Sequence, residues 1–242
     1  MFQQAQQHVR PIRGAVATAG VSERVTFIRK TYAHLVGAIL AFVALEYALL
    51  DTTGPLFETV TIPFVNAVTA NWWMMLVMFM GAGWIANKWA HSNTSRGIQY
   101  LGLALYIVAE AFVMLPLLAM ASLYHEGVIA DAGILTLFLF TGLTVTVFMT
   151  KKDFSFMRGM LVTAAFGAMG VIAASMLFGF TLGTLFTGFM IMLASGYVLY
   201  YTSAVLHHYR PTQYVAASLA LFSAIALMFY YILMFVMRLT SD

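Results

Sequence analysis

The chain has 242 residues, of which 62% are hydrophobic and only 9% charged, against roughly 25% charged in a soluble domain. So little charge cannot cover a water-facing surface, which excludes a soluble globular protein and leaves lipid as the solvent. The net charge of +3 serves topology rather than nucleic acid, and the absence of cysteine removes disulfides, thiolate catalysis and Cys-ligated zinc.

Residues 1–31 form a basic segment, expected on the cytoplasmic side. They hold Arg10, Arg13, Arg24, Arg29 and Lys30 and no apolar run with a cleavage-like end, so no signal peptide is expected. Ser22-Glu23-Arg24 reads as the start of a short juxtamembrane helix with Ser22 as its cap. Residues 32–242 make the membrane domain. A helical span needs about 20 mostly apolar residues, and seven runs qualify: 32–50, 71–90, 98–122, 132–150, 157–178, 182–206 and 214–237. The division between the fifth and sixth rests on Gly179-Phe180-Thr181-Leu182-Gly183. The stretch 52–70, with Pro55 and Pro63, is expected to lie along the interface without crossing. Trp72 and Trp73 at one edge of the second run, and Trp84 and Trp89 at the other, fit an aromatic belt.

Charge tests the count. Lys88, Arg96, Lys151, Lys152, Arg158 and Arg210 fall in alternate turns, on the same side as the N-terminal segment. Asp51, Glu58, Glu126 and Asp131 fall in the others. Of the twelve basic residues only Arg238 breaks the pattern. Cationic loops stay cytoplasmic, so the expected topology is N-terminus inside and C-terminus outside, in a multi-pass protein of a cell inner (plasma) membrane. The fifth run is rich in small residues, Ala164, Ala165, Gly167, Ala168, Gly170, Ala173, Ala174 and Ser175. Such residues let helices approach closely, so this helix is expected at the centre of the bundle.

Ionisable side chains inside a span cost about 2.5–3.5 kcal/mol for a central Asp, Lys or Arg on insertion scales, so each needs a reason. Glu110 sits mid-span, six residues before Pro116, which frees the carbonyl of Phe112. It reads either as a proton or cation site or as a protonated acid bonded to a neighbouring hydroxyl. Glu46 either belongs to the same pathway or reaches the outer headgroups. His34 is a third pathway candidate or an interfacial, solvated histidine. It stands twelve residues from Glu46, about 18 Å along a helix, so the two cannot ligate one ion. Asp153 either pairs with Lys151 and Lys152 or caps the fifth span. The seventeen methionines read as apolar filler, and His207-His208 alone is a weak metal signal. Asp51, Asp131, Asp153 and Asp242 all lie at span ends or outside spans. No phosphate loop, zinc-helix motif or nucleophile elbow occurs. Neither an enzyme nor a bound cofactor is expected.

Three stretches carry a resemblance: Phe27-Ile28-Arg29-Lys30-Thr31-Tyr32-Ala33-His34-Leu35, then Thr150-Lys151-Lys152-Asp153-Phe154-Ser155-Phe156-Met157-Arg158-Gly159, then Ser195-Gly196-Tyr197-Val198-Leu199-Tyr200-Tyr201-Thr202. With these the chain resembles the Bax inhibitor-1 family of multi-pass membrane proteins, from about Glu23 onward. The resemblance implies six helices around a central seventh and a pH-sensitive leak for calcium ions, tied in eukaryotes to suppression of cell death. Some bacterial relatives instead restrain a membrane-anchored AAA protease, which makes such a protease the alternative partner. Many members carry two facing aspartates that share a proton. At the corresponding places this chain has Tyr201 and Ala224, and tyrosine and alanine cannot share a proton near neutral pH. The family's basic partner in the second span is also absent, since Lys88 lies only at that span's end. A surviving leak, for calcium or protons, would centre on Glu110.

Overall fold

A computed structural model describes residues 14–92, 95–124 and 127–241. Arg10, Arg13, Glu126 and Asp242 lie outside the described residues, as do the side chains of Trp72 and Trp73. Every described element is helical. In chain order they are α1 (Val21–Leu50), a π turn (Phe57–Thr61), α2 (Ile62–Ala70), α3 (Trp72–Ala90), α4 (Arg96–Tyr124), α5 (Val128–Thr150), α6 (Met157–Phe178), α7 (Thr184–His207) and α8 (Tyr214–Ser241), with a 3-10 turn (Val16–Thr18) before α1.

Six of these, α1 and α4 to α8, are long and apolar enough to cross a membrane. α3 is not among the six: tryptophans, Asn87 and Lys88 dilute its 19 residues. The nine-residue α2 is too short to cross, and Thr61 at its start donates to the carbonyl of Leu49 (2.6 Å), tying it to the end of α1. Large side chains such as Leu185, Leu177, Phe178, Phe138 and Met149 stand almost wholly exposed, as they do on a multi-pass membrane protein whose outer surface meets lipid.

α1 corrects one expectation. It runs unbroken for 30 residues from Val21, with Gly20 as its N-cap and no side-chain cap. Ser22 lies inside the first turn and only its carbonyl is used, by Thr26. The break after Phe178 falls as expected, because Gly179 takes the left-handed conformation (φ 71°) that ends α6.

The centre of the bundle is α8, not α6. α8 packs against α1, α3, α4, α5 and α7, whereas α6 packs chiefly on α7. The reason lies in how the small residues are distributed. On α6 they are spread around the helix, and only Leu161, Ala168 and Ser175, seven residues apart, are buried. On α8 Ala216, Ala217, Ala220, Ala224 and Ala226 are all buried, interleaved with Leu221, Met228 and Leu233. Closest approach occurs between α3 and α4, where a Cβ on Gly102 would lie 2.7 Å from the carbonyl oxygen of Ala86 and 2.8 Å from the nitrogen of Ala90.

The basic turns meet at one end of the bundle. The Val16 N–H donates to the Tyr209 carbonyl (2.9 Å). The Lys30 ammonium sits 5.3 Å from the centre of the Tyr214 ring, and His91 stacks on Tyr209.

Candidate functional site: a buried carboxyl pair between two cavities

Glu46 lies on the inward stripe of α1 formed by Phe27, Thr31, Leu35, Ala38, Phe42, Glu46 and Leu49. It therefore points into the bundle instead of reaching for headgroups. Glu110 lies on the buried face of α4 among Ala109, Ala111 and Met114. Each is only 5% exposed, and the two stand on helices α1 and α4, which pack on one another. The Tyr106 hydroxyl, one turn before Glu110 on the same helix, hydrogen-bonds to the Glu110 carboxyl, and Ser223 of α8 reaches Tyr106. Glu110 Oε2 and both oxygens of Glu46 meet no hydrogen-bond partner among the described residues. Ionised carboxylates so placed, buried and without a partner, are costly.

Two cavities bracket the pair. One, of about 450 Å³, is lined by Phe42, Glu46, Tyr47, Leu118 and Phe229, with Asp51 and Thr52 at its mouth. The Thr53 hydroxyl and N–H bond to Asp51 and hold its carboxyl below the ordinary value, so this mouth stays negative. The other, of about 740 Å³, includes Tyr106 and Ser223, with Lys88, His91 and Arg158 among the lining residues. Tyr106, Glu110 and Glu46 thus form the polar thread between the two openings.

His34 is not part of that thread. Its Nδ1 donates to the Lys30 carbonyl (2.7 Å), which leaves Nε2 to accept from the Tyr100 hydroxyl (2.9 Å). The ring also packs on Tyr100 and Tyr214, with centroids at 5.5 and 5.0 Å. His34 joins α1, α4 and α8 at the basic end.

Asp153 neither caps α6, which has no side-chain cap, nor pairs with Lys151 or Lys152. Its Oδ1 accepts from the Ser155 N–H (2.9 Å) and from His208 Nε2 (3.1 Å). Ser203 of α7 completes the knot, accepting from the Phe154 N–H (2.9 Å). Burial alone would raise the Asp153 carboxyl, but the Ser155 N–H and the His208 ring outweigh it and hold it below the ordinary value. His207 turns back to its own helix, Nδ1 meeting the Ser203 carbonyl at 2.9 Å. Among the described residues no group of three metal-ligating side chains converges.

Sequence reasoning passed over Tyr106 and gave Ser203 and Ser223 no role. Tyr106 carried a readable signal, standing four residues before Glu110 and so on the same helix face. Ser203 and Ser223 had none beyond being hydroxyls in a span.

Comparison with known proteins agrees with this architecture. The family model described as inhibitor of apoptosis-promoting Bax1 matches residues 24–241. Bax inhibitor 1 of Schizosaccharomyces pombe is 27% identical over 212 residues, covering 86% of this chain and 74% of the relative. Protein lifeguard 4 of Mus musculus is 26% identical over 224 residues, covering 91% and 88%. An uncharacterized protein of Pseudomonas aeruginosa is 24% identical over 204 residues, covering 82% of each chain. With the match running through all eight helices, the chain belongs to the Bax inhibitor-1 family.

Proposed function

We propose that this protein is a pH-gated cation leak in which Glu46 and Glu110 take over the role of an acid pair. One observation carries the reading: two buried carboxyls on the packed helices α1 and α4 have oxygens that meet no partner among the described residues, and they lie between two cavities. When the pair shares a proton the site is closed to other cations. When both ionise, a cation must sit between them. Protons are the primary cargo. Calcium takes about six to eight oxygen ligands, and two carboxyls with one tyrosine leave water to complete its shell, so calcium is held loosely and passes slowly.

The same reading makes α3 the seventh span. Its 19 residues reach about 28 Å, close to the roughly 30 Å hydrocarbon core, with Lys88 turned back over the Trp84 ring at 5.1 Å. The end that gathers the basic turns faces the cytoplasm of a cell with this chain in its inner membrane.

Proteoliposomes test the reading. Proton flux is followed with an internal pH dye and calcium entry with an internal calcium dye, for wild type, Glu46→Gln and Glu110→Gln. Wild-type proton flux is expected to fall at least about tenfold in each variant, in the range for losing one proton-transfer group. No wild-type flux of either ion, or flux indifferent to both substitutions, overturns it.

A further inference from the structure

The walls of the larger cavity are basic, with Lys88, His91 and Arg158 among them. It is enclosed by α3, α4, α6, α7 and α8; none of its lining residues is an aspartate or glutamate, and Glu110 stands behind the lining Tyr106. Lys88 and Arg158 stand exposed at its rim, and neither has a carboxylate partner among the described residues. His91 lies beside them, its Nδ1 taken by the Asn87 carbonyl (2.9 Å) and its other nitrogen turned away from that bond. Deeper in, Tyr200, Tyr201 and Tyr209 cluster closely enough to interact, and Tyr201 faces Arg158. Burial raises the Tyr209 hydroxyl above the ordinary phenol value, so it remains a donor. Trp84 and Val162 flank the opening and are exposed on the lipid-facing surface.

From this arrangement we infer that the cavity binds a phosphate-bearing anion, with Arg158 and Lys88 as its charge partners and the hydroxyls of Tyr201 and Tyr209 as donors. Guanidinium and ammonium groups beside neutral hydroxyls, with no acid in the cavity wall, are the chemistry that phosphate oxygens select. Basic pockets between helices at the cytoplasmic end are where acidic lipid headgroups lodge. The sideways opening past Trp84 suits a lipid whose tails stay in the bilayer. An aspartate in place of Tyr201 would make the same cavity hostile to phosphate.

The test uses the full chain, purified in a neutral detergent and offered equal phosphatidylglycerol and phosphatidylcholine, with retained lipid read by native mass spectrometry. Two interfacial cations predict a preference for phosphatidylglycerol of roughly thirtyfold. Arg158→Gln should lower it about fivefold, and the double variant with Lys88→Gln should remove it. Tyr201→Asp should also remove it, while Arg210→Gln, at the same end but outside the cavity, should leave it intact. Inorganic phosphate is the second probe, read by thermal shift. If phosphate stabilises wild type but not the double variant, while the two lipids bind equally, the site stands and its ligand is a soluble phosphate. Equal retention of both lipids with no phosphate effect, or an equal loss in Arg210→Gln, overturns the inference.

Discussion

Gly102→Ala tests whether α3 is seated as described. The added methyl would lie 2.7 Å from the Ala86 carbonyl oxygen, 2.8 Å from the Ala90 nitrogen and 3.0 Å from the Trp89 Cβ. Two of these neighbours are main-chain atoms, so no rotamer change relieves the contact. α3 must back away by several tenths of an ångström along its length. Overpacking of this kind costs about 1–3 kcal/mol. Replacing a helical glycine by alanine also gains up to about 1 kcal/mol of propensity, so the control is Gly170→Ala on α6, where no atom lies within 4 Å. Propensity cancels between the two variants and leaves the clash. At about 2–4 °C per kcal/mol for a chain of this size, Gly102→Ala should melt roughly 2–12 °C below Gly170→Ala in the same detergent. Thermal unfolding followed by tryptophan fluorescence reads the gap. Equal melting temperatures, or Gly102→Ala the higher, would refute the close seating of α3 on α4.

The Asp153 knot sets a pH dependence. Its carboxyl is held below the unfolded value, so the stabilisation is full above about pH 4 and is lost as pH falls through the depressed value. Asp153→Ala should therefore lower stability by about 1–3 kcal/mol at pH 7, a gap that closes in melts taken towards pH 3; a gap constant across that range would show that the charge is irrelevant. His34→Phe keeps the stacking on Tyr100 and Tyr214 but loses both hydrogen bonds. It should cost about 1–2 kcal/mol in a melt while leaving flux through liposomes unchanged, and a collapse of flux at undiminished stability would place His34 in the pathway after all.

Much of the fold was legible because lipid imposes one strong rule, a run of apolar residues long enough to cross. All seven expected runs reappear as helices with boundaries displaced by a few residues, apart from the longer α1, and all of them except α3 are long and apolar enough to cross. Glu110 was legible because a carboxyl in mid-span is costly wherever it lies. Its partner was not. Glu46 is 64 residues away, and only the packing of α1 on α4 shows that its stripe faces inward. The place of α6 failed for a related reason. A list of glycines and alanines says that close packing is possible, and only their angular spread shows that just Ala168 and Ser175 of the eight are buried. Asp153 was ambiguous because its neighbours in sequence offered two sensible partners, whereas the one it uses, His208, comes from a distant turn.

The order of the helices has a consequence for biogenesis. α8 follows every helix it touches. While the chain is being made, the inward faces of α1, α4, α5 and α7 enter the bilayer with nothing between them, and Glu46 and Glu110 enter with them. Final closure waits for residues 214 onward to leave the ribosome and slide into the gap. Until then the nascent helices need lipid, or an insertase that shields polar side chains, to keep them from pairing wrongly.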